Sequence, residues 1–372
     1  MRNYRRVTIK IGSNVLTRAD GTLDVTRVSA LVDQVCALRA RGIEVVMISS
    51  GAVACGRSEL RGMQLPQLDN VDARHRGHQV DHVARELFSA VGQVKLINRY
   101  YDLFRDRGIH VGQVLTMKES FATRRHYLNQ RNCMMVMLRN GIIPIVNEND
   151  TVSVTELMFT DNDELSGLVA AMLDCDALII LSNIDGIYNG DPRQPGAEVI
   201  RRVDPDLDLT DYIMTERSGF GRGGMVTKYR IARKVADEGI AVIIANGKRD
   251  NILTDIISGE GDTVCTEFAP AAVPASSLKR WIAHSEGFAK GAIRINDRAV
   301  EAVNSDHAAS VLPIGVTEVI GDFEKDDLIK VLDAAGNLIA IGRSSYGAAE
   351  AREASGKHRQ RPIIHYDYLY VE

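Results

Sequence analysis

The sequence predicts an α/β protein: a doubly wound, mainly parallel sheet followed by a small β-rich C-terminal domain. Three observations carry this expectation. Short continuous apolar runs recur through residues 1–267. Continuous rather than alternating runs belong to strands covered on both faces, as in parallel sheets. Between them lie stretches whose apolar side chains recur at helical spacing. After residue 267 the composition shifts to prolines and small residues and then to shorter, strand-rich segments.

The elements follow in order. Val7–Ile11 is a β-branched run that ends at Gly12. Thr26–Ala40 places Val28, Leu31, Val32, Val35 and Leu38 on one helical face, and Gly42 stops it. Ile43–Ile48 reads as a buried strand. A second helical pattern covers roughly Val83–Arg107 and leads to a strand at Ile109–Leu115. Ile142–Val146, Ala177–Leu181 and Ile240–Ala245 are further short apolar runs. Phe268–Leu278 carries two prolines and reads as a linker. Beyond it, Ala292–Ile295, Val316–Ile320, Leu328–Leu332 and Leu338–Ile341 read as strands, with Asp333–Asn337 as a hairpin turn. The expected division is a domain at 1–267, a linker at 268–278 and a small barrel or sandwich at 279–372.

Bulk properties exclude several classes. The chain of 372 residues suits two or three domains at roughly 100–200 residues each. A hydrophobic share of 45% and a charged share of 25% are those of a soluble globular protein. The net charge of −4 argues against a nucleic-acid coat. No apolar run is long enough to span a bilayer, and the N-terminus has no apolar signal region, so no membrane association is expected. The five cysteines are scattered and form no C-x-x-C, which argues against disulfides and cysteine zinc sites. A cytoplasmic location is expected.

Ligands of open α/β sheets bind where strands end and helices begin. Four clusters fall at such points. Lys10-Ile11-Gly12-Ser13-Asn14 closes the first strand. A lysine there can reach a phosphate, but from this cluster alone an ordinary strand end with a solvated lysine is the better reading. Ser49-Ser50-Gly51-Ala52 follows the second strand and opens a helix, where N–H groups can hold an anion or a serine can merely cap. Asn147-Glu148-Asn149-Asp150 and Phe159-Thr160-Asp161-Asn162-Asp163 read as two loops. They carry more acid and amide groups than turns need, and such groups read the charges of an amino acid or suit Mg²⁺. Gly219-Phe220-Gly221-Arg222-Gly223-Gly224-Met225-Val226-Thr227-Lys228 is a glycine loop feeding a helix with a lysine in its first turn. It is neither a dinucleotide fingerprint, since no strand precedes it, nor a P-loop, but it suits a polyphosphate. His75, His78 and His82 form a further cluster that reads as a solvated charged face rather than a metal site.

Together these stretches resemble the amino acid kinase family. The matching segments are VTIKIGSNVLT, VVMISSGAVACGR, GIIPIVNENDTV, FTDNDELSGLVAAML, LIILSNIDGIYNGDPR and GRGGMVTKYRIARKVADEGI, in family order. After the linker, KRWIAHSEGFAKGAIRINDRAVEAV, SVLPIGVTEVIGDF and AIGRSSYGAAEAR resemble a PUA domain. The resemblance implies ATP-dependent phosphorylation of the γ-carboxylate of L-glutamate, with Mg²⁺ accompanying ATP. It implies that Lys10 and Lys228 neutralise the transferring phosphoryl group and that Asp163 holds both lysines. It places Ser50, Gly51, Asp150 and Asn162 at the acceptor. It places Lys10, Gly12, Ser182, Asn183, Arg222, Gly223, Gly224, Met225, Val226, Thr227 and Lys228 at the nucleotide. No residue is assigned as a metal ligand.

The implied chemistry is coherent. A glutamate side chain titrates near 4.3, about three units below neutrality, so the nucleophile is already ionised and needs no general base. The resemblance further implies a homo-oligomer, dimer or tetramer, feedback inhibition by proline, and channelling of product to glutamyl phosphate reductase. Two substitutions depart from the family: Asn183 stands where aspartate is common, and Arg222 where threonine is common. The segment at 69–82 is longer than in familiar members and bears on proline sensitivity. The rivals are a relative acting on aspartate or acetylglutamate, an impaired regulatory paralogue, and an RNA-binding protein acting through the C-terminal domain. The low aromatic content of 5% weighs against base stacking in the last.

Overall fold

The computed structural model describes residues 2–64, 78–121, 124–152, 162–192, 194, 196–205, 207, 209, 225–259, 261–272, 277–283, 288–305 and 309–371. They fall into two units, Met1–Ser120 with Tyr127–Pro274 and Phe121–His126 with Ala275–Glu372.

The first unit is built on an eight-stranded sheet. Its strands are β1 (Arg6–Ile11), β2 (Glu44–Ser49), β3 (Val111–Thr116), β4 (Ile143–Glu148), β5 (Ala177–Ser182), β6 (Arg202–Val203), β7 (Ala241–Asn246) and β8 (Cys265–Phe268). Their order is β3-β4-β2-β1-β5-β7-β8-β6. Every pairing is parallel except β7 with β8. The central strands are buried along their whole length, which is why they read as unbroken apolar runs. Alternation still operates within β1. Val7, Ile9 and Ile11 enter one core, so Thr8 and Lys10 point to the opposite face.

Helices cover both faces. The Val25–Ala40 helix is capped by Asp24, whose side chain accepts from the Arg27 N–H at 3.1 Å. The Ala52–Glu59 helix packs on the long His78–Arg105 helix at very close range. A Cβ on Gly56 would lie 1.8 Å from the Phe88 carbonyl oxygen, and one on Gly92 1.8 Å from that of Ala52. Only glycines at both positions allow this approach.

Several helices escaped the sequence reading, and two of them are longer than ten residues. Asn162–Met172 is buried on almost every side, so it shows no amphipathic period. Asn162 and Asp163 therefore open a helix instead of closing a loop. Arg124–Arg139 is the other. The short strands β8 and β6 at one end of the sheet also went unseen, and the linker expected from Phe268 begins on the last residue of β8.

The second unit holds a five-stranded sheet of β9 (Gly291–Ile295), β10 (Val316–Gly321), β11 (Leu328–Leu332), β12 (Leu338–Arg343) and β13 (Leu369–Val371), in the order β10-β9-β11-β12-β13. Only β9 and β11 pair in parallel. The expected hairpin joins β11 to β12, and Asp333 Oδ1 accepts from the Asn337 N–H at 2.8 Å. Ile293, Ile295, Ile329, Val331 and Ile363 form its core. The Ser277–Ala283 helix belongs here, inside what composition suggested was partly linker. Its Trp281 Nε1 donates to the Phe121 carbonyl at 3.0 Å, which ties residues 121–126 to this unit.

Candidate functional site

Strand register brings the sequence-selected residues to one edge of the large sheet. Ile11 lies level with Ser49 and Leu181, Ser182 with Asn246, and Thr116 with Glu148. The carboxyl ends of the parallel strands therefore converge, and the loops leaving them carry the polar clusters.

At the centre stands a buried ion triad. Lys10 Nζ lies 2.5 Å from Asp163 Oδ1, and Lys228 Nζ lies 3.0 Å from Asp163 Oδ2. Asp163 has no solvent exposure, and the lysines have little. Burial alone pushes the Asp163 carboxyl up, but the adjacent ammonium groups outweigh it and hold the carboxyl below its ordinary range. Asp163 also sits in the first turn of its helix, where the dipole favours an anion. Lys228 occupies the first turn of the Met225–Asp237 helix, a position the dipole disfavours, and its ion pair offsets that. The triad carries one positive charge in excess, shielded from water.

Beside it is a cleft of about 350 Å³ whose lining includes Ser50, Gly51, Arg85, Asn147, Asp150 and Asn162. Gly51 has φ 107°, a left-handed conformation that starts the Ala52–Glu59 helix. A directional chain of hydrogen bonds shapes one wall. Asn162 Nδ2 donates to Ser50 Oγ at 2.9 Å and to Asn147 Oδ1 at 3.0 Å. Asn147 Nδ2 donates in turn to Gln93 Oε1 at 2.8 Å. Ser50 Oγ is thus an acceptor toward Asn162, which leaves its O–H to donate. On another wall, Asp150 Oδ1 accepts from Arg85 at 3.0 Å and Oδ2 from Ser89 at 2.9 Å. Asn149, between these groups, serves the turn: its N–H donates to Thr116 O at 2.8 Å and its Oδ1 accepts from Thr151 at 2.6 Å.

On the other side of β1, Ser182 is buried at the end of β5 and Asn183 is exposed beside it, with Ser182 Oγ donating to Asn183 Oδ1 at 3.4 Å. The Gly12 N–H donates to Leu181 O at 3.0 Å and brings the first loop toward this side. Asp185 accepts from Asn246 Nδ2 at 3.0 Å and Arg249 Nε at 2.8 Å. Burial raises its carboxyl pKa, but these partners prevail and lower it. Met225, Val226 and Thr227 form the helix start just before Lys228, with Val226 exposed. Arg222, Gly223 and Gly224 lie outside the described residues, as do Gly219–Gly221, Phe159–Asp161, His75 and the side chains of His78 and His82.

Sequence reasoning missed Arg85, Ser89 and Gln93. The signal was available: they recur every fourth residue and so share one face of the His78–Arg105 helix. It also missed Asp185 and Arg249, which no pattern marks. Among the described residues no group of three or more His, Cys, Asp or Glu could hold a metal ion, and no helix is long and apolar enough to cross a membrane.

Comparison with known proteins agrees with this architecture. Residues 5–246 match the amino acid kinase family and residues 291–366 match the PUA domain. A protein of Bacteroides thetaiotaomicron named glutamate 5-kinase is 61% identical over 369 residues, covering 99% of both chains. Glutamate 5-kinases of Chlorobaculum tepidum and Chromohalobacter salexigens are 44% and 36% identical, each over at least 97% of both chains.

Proposed function

We propose that this chain, which belongs to the amino acid kinase family, transfers the γ-phosphoryl group of ATP to the γ-carboxylate of L-glutamate. The product is L-glutamyl 5-phosphate, and the step opens proline biosynthesis. The observation that carries the mechanism is the Lys10–Asp163–Lys228 triad beside a cleft with a polar wall.

The bond that forms joins a carboxylate oxygen to Pγ. The bond that breaks joins Pγ to the β–γ bridging oxygen, whose electron pair leaves with ADP. No proton moves at the nucleophile, because the carboxylate is ionised at neutral pH. The barrier is the approach of one anion to another, and fixed positive charge aimed at the transferring group lowers it. Lys10 and Lys228 supply that charge. Asp163 keeps the two ammonium groups apart from each other and in place, so little reorganisation accompanies the transfer. The Ser50 O–H, oriented by Asn162, donates to the acceptor. Ser182, Asn183 and the start of the Met225–Asp237 helix face the nucleotide, with Arg222, Gly223 and Gly224 assigned there from the sequence alone.

Mg²⁺ is proposed to arrive with ATP. The residues accommodate this: Mg²⁺ retains waters and phosphate oxygens and needs few protein ligands, and both Asp163 oxygens already face lysines. When bound it spreads the phosphate charge. The acyl phosphate is prone to hydrolysis, so direct hand-over to the reductase that consumes it suits its chemistry. A homo-oligomer and feedback inhibition by proline complete the reading.

The test is hydroxylamine trapping of acyl phosphate with Mg·ATP and L-glutamate, L-aspartate or N-acetylglutamate. Glutamate-dependent hydroxamate is expected, and proline added to the same assay should suppress it. Turnover confined to another acid would discard the assigned acceptor.

A further inference from the structure

Between β3 and the Arg124–Arg139 helix the chain makes a short 3-10 turn, Lys118–Phe121. Contacts within the first unit fix its near end. The carbonyl of Thr116, the last residue of β3, accepts from the Asn149 N–H at 2.8 Å and so holds the turn that carries Asp150. Thr116 also lies level with Glu148, which lines the cleft. Lys118 Nζ lies 2.8 Å from Glu164 Oε1, in the first turn of the helix that opens with Asn162. Gln130 spans the base: it accepts from Thr116 Oγ1 at 2.9 Å and donates to the Ser120 carbonyl at 3.4 Å.

The far end is held by the second unit. Phe121 is fully buried, and its carbonyl accepts from Trp281 Nε1 at 3.0 Å. Trp281 is the chain's only tryptophan and is itself buried. An indole N–H withdrawn from water needs an acceptor, so this bond fixes the direction of the Phe121 carbonyl. A tail joined by a linker needs one passage between units. This chain makes three, and the first falls inside the 3-10 turn, between Ser120 and Phe121.

Magnitudes separate what the turn can govern from what it cannot. The Lys10–Asp163–Lys228 triad is fixed by full charges out of water, and a partly exposed ion pair such as Lys118–Glu164 adds little to that. The acceptor wall is held by individual hydrogen bonds, so its geometry follows the positions of Thr116 and Lys118.

We propose that Trp281 is a positioning residue for the acceptor site: it fixes the Phe121 carbonyl, which sets the Lys118–Phe121 turn, which in turn sets the Asn149–Asp150 turn and Asn162. This rests on the reading of the cleft as the acceptor site. Such coupling is reciprocal, so an acceptor that tightens the wall also acts on the Trp281–Phe121 bond.

The experiment uses the full-length protein and its sole tryptophan. Trp281 emission is recorded during titration with L-glutamate, and KM and kcat are measured by hydroxamate trapping for wild type, Trp281→Phe, Lys118→Met and the double variant. Wild-type emission should change and saturate with glutamate, and Lys118→Met should show a smaller change at saturation. Trp281→Phe keeps a ring and loses the donor. Its KM for glutamate should rise about two- to ten-fold, the scale of one neutral hydrogen bond, with kcat nearly unchanged. Lys118→Met should raise the KM about two- to five-fold, the scale of a partly exposed ion pair. Both act through one turn, so the rise in the double variant should fall short of the product of the two. The proposal would be overturned by wild-type emission that glutamate does not move, by a full-sized change in Lys118→Met, by an unchanged KM in folded Trp281→Phe, or by a double variant that equals the product. Should Trp281→Phe fail to fold, the wild-type and Lys118→Met titrations decide alone. Wild-type turnover with glutamate is the separate check on the underlying reading. Turnover without an emission change would remove this proposal alone, and absence of turnover would remove the acceptor site with it.

Discussion

The transfer centre and the acceptor wall lie along the same sheet edge and are built from opposite materials. The centre is three full charges, Lys10, Asp163 and Lys228, held almost out of contact with water. Much of the wall is neutral: Ser50, Asn162, Asn147 and Gln93 joined by hydrogen bonds of 2.8 to 3.0 Å. Charge that develops during a reaction is stabilised by fixed charge, whereas a ground-state ligand is recognised by shape and donor direction. Substitutions in the centre should therefore lower kcat, and substitutions in the wall should raise the KM for the acceptor. The difference also bears on stability. A buried ion loses much when its partner is removed, while a neutral hydrogen bond loses little.

The largest effect is expected from Asp163→Asn, which leaves both lysines without their counter-ion. Its kcat should fall by roughly 10³-fold, the scale of a lost electrostatic stabiliser, and thermal unfolding should move to lower temperature. Lys10→Ala and Lys228→Ala should each lower kcat by roughly 10²- to 10³-fold, with the KM for glutamate changed far less. Gly92→Ala attacks the wall from behind. Its new Cβ would sit 1.8 Å from the Ala52 carbonyl oxygen. Forcing the helices apart should cost roughly 1–3 kcal/mol in a urea titration and raise the KM through displacement of Ser89 and Gln93. Ser50→Ala should raise the KM roughly three- to ten-fold at nearly constant kcat. An equal fall in kcat there would erase the distinction between the two regions.

The smallest effect is a pH dependence. The lysines hold the Asp163 carboxyl below its ordinary range, near 3.9 for an unfolded aspartate. The stability it contributes is fully present above that value and is lost as pH falls through the lower, folded-state pKa. Below about pH 4, urea midpoints of the wild type should therefore decline more steeply than those of Asp163→Asn. Parallel curves would show that the triad adds no ionic stability.

Much of this was legible in the sequence, for stated physical reasons. The parallel strands announced themselves because burial on both faces makes each an unbroken apolar run, as in Ala177–Ser182. Lys10, Ser50 and Asp150 were visible because polar residues at strand ends stand out against that background. The Asn162–Met172 helix was not, since near-complete burial removes the amphipathic period that betrays a helix. Asp163 was therefore singled out as a loop residue, whereas it lies in the first turn of a helix. Arg85, Ser89 and Gln93 were overlooked although their spacing of four was readable, because nothing in one dimension says which face of a long helix meets the site. Phe121–His126 lay beyond any local pattern, since its place beside Trp281 depends on contacts across 160 positions.

The central claim is that charge drives the transfer while donor geometry chooses the acceptor. Its most direct test is the steady-state rate of hydroxamate formation by Lys228→Ala across a range of L-glutamate concentrations at saturating Mg·ATP. The account predicts a kcat at least about 10²-fold below wild type with a KM within a few-fold of it. A KM raised by that factor with kcat intact would contradict it.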